Sequence, residues 1–121
     1  MNENWIAFNF TADVPKISIT ENGITFNKGV VEALNRPKFI QLLFDEENKL
    51  MAVKPCADAK EKNKVAFYKN EKAKYVRLNH TTLNKYFESL LDVDLHINIY
   101  KCCGELQDGA VMFDLKQCKK M

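Results

Sequence analysis

The stretch Lys16-Ile17-Ser18-Ile19-Thr20-Glu21-Asn22-Gly23-Ile24-Thr25-Phe26-Asn27 decides the fold. Lys16 to Thr20 alternates polar with apolar, β-branched residues, the period of a half-buried strand. Glu21-Asn22-Gly23 reads as a hairpin turn, because Asn-Gly tolerates positive φ, and Ile24-Thr25-Phe26 as the return strand. Asn27 stands where a side-chain oxygen can accept a hydrogen bond from an orphaned backbone N–H and start a helix near Lys28. Val30, Ala33 and Leu34 form an apolar stripe at helical spacing, and Asn35-Arg36-Pro37 ends it. Phe39 to Phe44 is a strongly apolar strand, which the polar Asp45-Glu46-Glu47-Asn48 turns back into Lys49 to Val53. The unit over residues 16–54 is hairpin, short helix, hairpin.

The composition then changes. Residues 55–64, Pro55 to Lys64, are polar and charged and read as a linker. Beyond them the same order returns over residues 65–115. Val65 to Tyr68 and Lys74 to Leu78 are strands flanking a looser turn, and Asn79 falls where Asn27 fell. Leu83, Tyr86, Phe87, Leu90 and Leu91 make the clearest helical stripe in the chain, which Asp92-Val93-Asp94 breaks. His96 to Tyr100 is a strand, Gly104 to Gly109 holds a turn, and Ala110 to Leu115 closes the unit. The tail from Lys116 is polar and expected to fray. The expected fold class is α+β, mainly β, as a single domain over residues 1–121 built from two repeats. Trp5, Ile6, Phe8 and Phe10 add an edge strand or plug one end of the core; both placements stay open.

With 46% hydrophobic and 28% charged residues in 121, the chain is outside the range of disorder and fits one compact domain. A net charge of +2 makes no global case for nucleic acid or an anionic membrane. Of the basic residues only Arg36 and Arg77 are arginine, which counts against base-specific readout by bidentate guanidinium groups. No apolar run approaches the roughly 18 residues of a transmembrane helix, and residues 1–10 lack the pattern of a secretory signal. The expectation is a cytoplasmic protein without a membrane partner. Cys56, Cys102, Cys103 and Cys118 show no C-x-x-C spacing and, with only His80 and His96, read as isolated reduced thiols; no metal and no cofactor is expected. Nucleophile, phosphate-loop and zinc-protease motifs are absent, so the chain does not read as an enzyme.

Residues Ile17 to Val53 resemble the AbrB-like (SpoVT/AbrB) swapped-hairpin family. The resemblance rests on the Thr20-Glu21-Asn22-Gly23 turn, the strand Ile24-Thr25-Phe26, the helix from Lys28 to Asn35, and the strands Phe39–Phe44 and Leu50–Val53 around an acidic turn. In that family two chains interleave such units into one small barrel, and Val65 to Leu115 looks like a diverged second copy. The resemblance implies one chain folding as a pseudo-dimeric swapped-hairpin barrel, as a monomer or a homodimer. A unit of about 40 residues buries too little core alone, and fusion raises the effective concentration of its twin.

The resemblance also implies a DNA-binding transcriptional regulator or antitoxin-like protein that meets double-stranded DNA through backbone phosphates. The candidate contacts are Lys28, Arg36 and Lys38 in the first copy and Lys72, Lys74 and Arg77 in the second. Family members place arginines after the turn glycine and on the short helix; here Ile24 follows Gly23, and Val30, Val31 and Glu32 follow Lys28. That departure motivates the alternative, a non-enzymatic protein-interaction module on the same fold that has lost DNA binding and docks a protein partner by an edge strand or the apolar N-terminal segment.

Overall fold

The computed structural model describes residues 4, 5, 14–56, 61–69 and 75–120. The expected hairpin forms as β1 (Lys16–Thr20) and β2 (Gly23–Phe26), with Ile17, Ile19, Ile24 and Phe26 all turned inward and essentially inaccessible. Its turn departs from the Asn-Gly expectation in one respect: only Gly23, at φ +121°, takes a positive φ. Glycine is required there for a second reason. A Cβ on Gly23 would run into the backbone carbonyl of Leu78, so its absence lets the neighbouring strand close in.

Helix α1 (Lys28–Ala33) starts as the sequence indicates. The Asn27 Oδ1 accepts from Val30 N–H at 3.1 Å and from Lys16 N–H at 2.9 Å, while its amide donates to Val14 O at 2.8 Å. One side chain thus caps the helix and fixes the entry of β1. Asn35 and Arg36, both in the left-handed region, end the helix before Pro37. Strands β3 (Phe39–Asp45) and β4 (Leu50–Pro55) form the second hairpin, so β4 runs into what reads as linker.

The second half keeps the element order: β5 (Val65–Ala66), β6 (Val76–Leu78), α2 (Thr81–Leu91), β7 (Tyr100–Gln107) and β8 (Ala110–Asp114), followed by a one-turn 3-10 helix and the short β9 (Lys119–Lys120). Several expectations are corrected. Among the described residues β5 and β6 form no ladder with each other; β5 pairs with β3 and β6 with β2. Asn79 does not cap α2, whose N-cap position is His80, without a side-chain cap bond. His96 is not in a strand, because the Asp94 carboxylate and carbonyl accept from the N–H groups of His96, Ile97 and Asn98 and hold a turn. Gly104 lies inside β7 rather than in a turn: it packs where a Cβ would stand 2.6 Å from the Phe113 ring. The tail from Lys116 is held by β9 against β7.

All ladders are antiparallel, in the order β5-β3-β4-β8-β7-β1-β2-β6, with β9 also on β7. The result is a small, mainly β domain, a half-barrel sheet with two helices among the described residues. Residues 100–103 of β7 pair with β1, and 104–107 pair with β8, so this one long strand joins the two sides of the sheet. The concave side holds the core, including Ile40, Met51, Val53, Val111 and Phe113, and α2 inserts Phe87 and Leu90 into it. Phe44 meets Tyr86 and Phe87 edge-on, with centroids 4.8 and 5.7 Å apart. Lys49 Nζ donates to Leu90 O at 2.6 Å and so satisfies an orphan carbonyl at the end of α2.

Candidate nucleic-acid interface

Residues directly opposite in antiparallel strands point to the same side of the sheet. Since Ile17, Ile19, Ile24, Phe26, Val76, Leu78 and Cys102 are buried, their chain neighbours face outward on the convex side. The register then defines one uninterrupted row across five strands. Arg77 stands opposite Thr25, Thr25 opposite Ser18, Ser18 opposite Lys101, and Lys101 opposite Lys119. One step along, Lys16 stands opposite Cys103. Arg77, Lys101, Lys119 and Lys16 are exposed, and Ser18 and Thr25 are half-buried between them.

This face carries no carboxylate among the outward residues of the described strands β1, β2, β6 and β9 and of residues 100–103 of β7. Arg77 Nε donates to Thr25 Oγ1 at 3.2 Å, which ties the exposed guanidinium to the row. Glu21, in the β1–β2 turn, is engaged with His96, whose Nδ1 lies 2.8 Å from Glu21 Oε2. That hydrogen bond, with the Glu21 and Asp94 charges behind it, raises the imidazole above its ordinary value. At about 4.8 Å per strand, four strand spacings span about 19 Å, roughly five or six steps along one strand of duplex nucleic acid.

Of the six residues expected from sequence, four are described, and they lie on different parts of the chain's fold. Arg77 is in the row, and Lys28 follows Asn27, the residue that binds the start of β1. Arg36 is committed to Glu32, which accepts from its Nε and Nη2 at 3.3 and 3.2 Å. Lys38 is exposed at the other end of α1, where its carbonyl accepts from Phe67 N–H at 2.8 Å. Lys72 and Lys74 lie outside the described residues. Sequence reading missed Lys16, Lys101 and Lys119, since nothing in local spacing reveals that residues about 20 and 100 positions apart share a row; the hydroxyl-bearing alternation of β1 was the one available signal.

Among the described residues no group of three or more His, Cys, Asp or Glu side chains is arranged to hold a metal ion. No described helix is long and apolar enough to cross a membrane. No family model, no curated protein and no solved structure matches this chain.

Proposed function

We propose that this protein is a DNA-binding regulator or antitoxin-like protein whose single chain stands in for an AbrB-like dimer, and that it meets the duplex with the convex face of β6, β2, β1, β7 and β9. The observation that carries the reading is the carboxylate-free row of Arg77, Lys101 and Lys119 around Ser18 and Thr25. Cations on a rigid sheet displace condensed counterions from phosphates, and hydroxyls between them donate to phosphate oxygens. Lysine outnumbers arginine on this face, so the contacts position the protein without reading bases.

The strand order supports the two-repeat part of the proposal. Exchanging β1–β4 with β5–β8 turns the β3–β4 ladder into β7–β8 and the β1–β7 ladder into β5–β3, and returns β4–β8 and β2–β6 to themselves. Thr25 and Arg77 are the central pair of the self-related β2–β6 ladder. Two ladders have no counterpart among the described residues: β7–β9, made by the C-terminal strand, and β1–β2, whose equivalent would be joined by segment 70–74, which is not described. A swapped-hairpin pseudo-dimer requires this exchange relation. The sheet's end strands, β5 and β6, each present one edge without a strand partner among the described residues, and these edges favour a second reading as a protein-docking module.

Fluorescence anisotropy of labelled duplexes of unrelated sequence, titrated with the protein in low and moderate salt, tests the proposal. It expects binding in low salt that weakens steeply as salt rises and differs little between sequences. Absence of binding in low salt refutes it and leaves the protein-docking reading.

A further inference from the structure

We propose that Cys102 and Cys118 form an oxidative modification site, in which a peroxide joins them in an intrachain disulfide that ties the C-terminal strand β9 to β7. The pairing register makes the case. Tyr100 stands opposite Lys120 and Lys101 opposite Lys119, so the next pair along this ladder is Cys102 opposite Cys118. Cys118 keeps the extended backbone (φ −61°, ψ 132°) needed to continue that register. Opposite residues in antiparallel strands have Cα atoms about 4.5–5.5 Å apart, inside the roughly 4.4–6.8 Å that a disulfide spans.

The two thiols share the concave side of the ladder, Cys102 buried and Cys118 half-buried, whereas Cys103 faces outward and is exposed. The Cys102 thiol donates to Asp114 O at 3.3 Å, a contact that crosses from β7 to β8. Cys118 is the more accessible of the two, which makes it the sulfur a peroxide reaches first and Cys102 the one that resolves it. Cys118 also lines a cavity of about 280 Å³ with Lys49, Leu90 and Tyr100, which admits a molecule the size of hydrogen peroxide.

The chemistry balances in two steps. Cys118, which lines the cavity, attacks one peroxide oxygen as its thiolate, the O–O bond breaks, and the departing hydroxide takes up the proton Cys118 released, giving a sulfenic acid and water. The Cys102 sulfur then attacks the Cys118 sulfur; the S–O bond breaks, and the Cys102 proton and the departing hydroxyl leave as water. Two thiols are oxidised, and one hydrogen peroxide is reduced to two waters. The disulfide closes a loop of about 16 residues and holds Lys119 beside Lys101. It stands independently of the nucleic-acid proposal, since it requires only that β9 pair with β7.

The test treats the reduced full chain with hydrogen peroxide under native conditions, then alkylates and maps the thiols. The four thiols fall to two in a monomeric product. Tryptic digestion links peptide 102–116 to peptide 117–119 with a loss of two hydrogens. Cys103→Ser retains the link, and Cys102→Ser and Cys118→Ser each abolish it. Oxidation raises the thermal midpoint of the wild-type chain by roughly 10 °C and leaves that of Cys118→Ser unmoved. An unchanged thiol count, a product joined only between molecules through Cys103, or a link that survives Cys102→Ser overturns the proposal. Where a variant fails to fold, fragmentation of the linked wild-type peptide between residues 102 and 103 assigns the sulfur: the link on Cys102 supports the proposal and the link on Cys103 overturns it.

Discussion

Replacing Gly104 by alanine puts one methyl group where β7 passes from one side of the sheet to the other. The added Cβ would stand 2.6 Å from Cε1 and 2.9 Å from Cδ1 of Phe113, and 2.9 Å from the Met112 carbonyl oxygen. The Phe113 ring is fully buried and faces Gly104 directly in the ladder, so it has no solvent-side rotamer to retreat to. Main-chain movement is restrained on the other flank, where Gly104 N–H donates to Pro15 O at 2.8 Å. Overpacking by a single methyl in a tight core costs about 1–3 kcal/mol, and a clash that includes backbone belongs at the upper end, about 2–3 kcal/mol. For a domain of this size that corresponds to a midpoint lower by about 10 °C. Urea unfolding followed by circular dichroism would show a reduced midpoint concentration at unchanged slope. Phe113→Leu removes the ring edge that the added methyl would strike, so the double variant is expected to be more stable than additivity predicts by about 1 kcal/mol. Stability of Gly104→Ala within about 0.5 kcal/mol of wild type, or strict additivity in the cycle, refutes the close-packing role of Gly104.

Other outcomes follow from the same contacts. Asn27→Ala removes the acceptor of Val30 and Lys16 N–H and the donor to Val14 O, and is expected to cost about 1–2 kcal/mol, whereas Asn79→Ala, which removes no cap, stays within about 0.5 kcal/mol; chemical denaturation of the two variants checks the contrast. His96 is expected to titrate above the ordinary imidazole value of about 6.5 because its charged form donates to Glu21. The sign follows from the raised folded value: the His96–Glu21 contribution is whole below about pH 6.5 and is lost as pH climbs through the raised value. NMR titration of His96 reads it, and Glu21→Gln returns the midpoint toward 6.5.

Local chemistry made the first half legible. Alternation in β1, the glycine at the turn and the Asn27 cap act within a few residues of one another, so spacing alone exposes them. The long helix was legible for the same reason, since Phe87 and Leu90 recur at helical period on one face. The second half misled wherever a residue answers to a distant partner. Gly104 serves the Phe113 ring rather than a turn, and Asn79 shares the position of Asn27 without sharing its bond. The apolar alternation of His96 to Tyr100 yields to the Asp94 acceptors that fold residues 96–98 into a turn. The convex row was invisible for a deeper reason: its members come from five strands, and only the register brings Lys101 and Lys119 beside Ser18. One further step of the same register leads from Lys101 and Lys119 to Cys102 and Cys118, two thiols that read from sequence as unrelated.

The most direct measurement compares the salt dependence of duplex binding for wild type and for the triple variant Arg77→Gln, Lys101→Gln, Lys119→Gln, with Arg36→Gln, Lys38→Gln as the control. Each phosphate contact contributes about 0.9 to the slope of log affinity against log salt, so removing three predicts a slope shallower by nearly 3 units. The control, whose arginine is already paired with Glu32 and whose lysine lies off the row, is expected to keep more of the wild-type slope than the triple variant. A triple variant with the wild-type slope and affinity would contradict the account, because the row would then touch no phosphate.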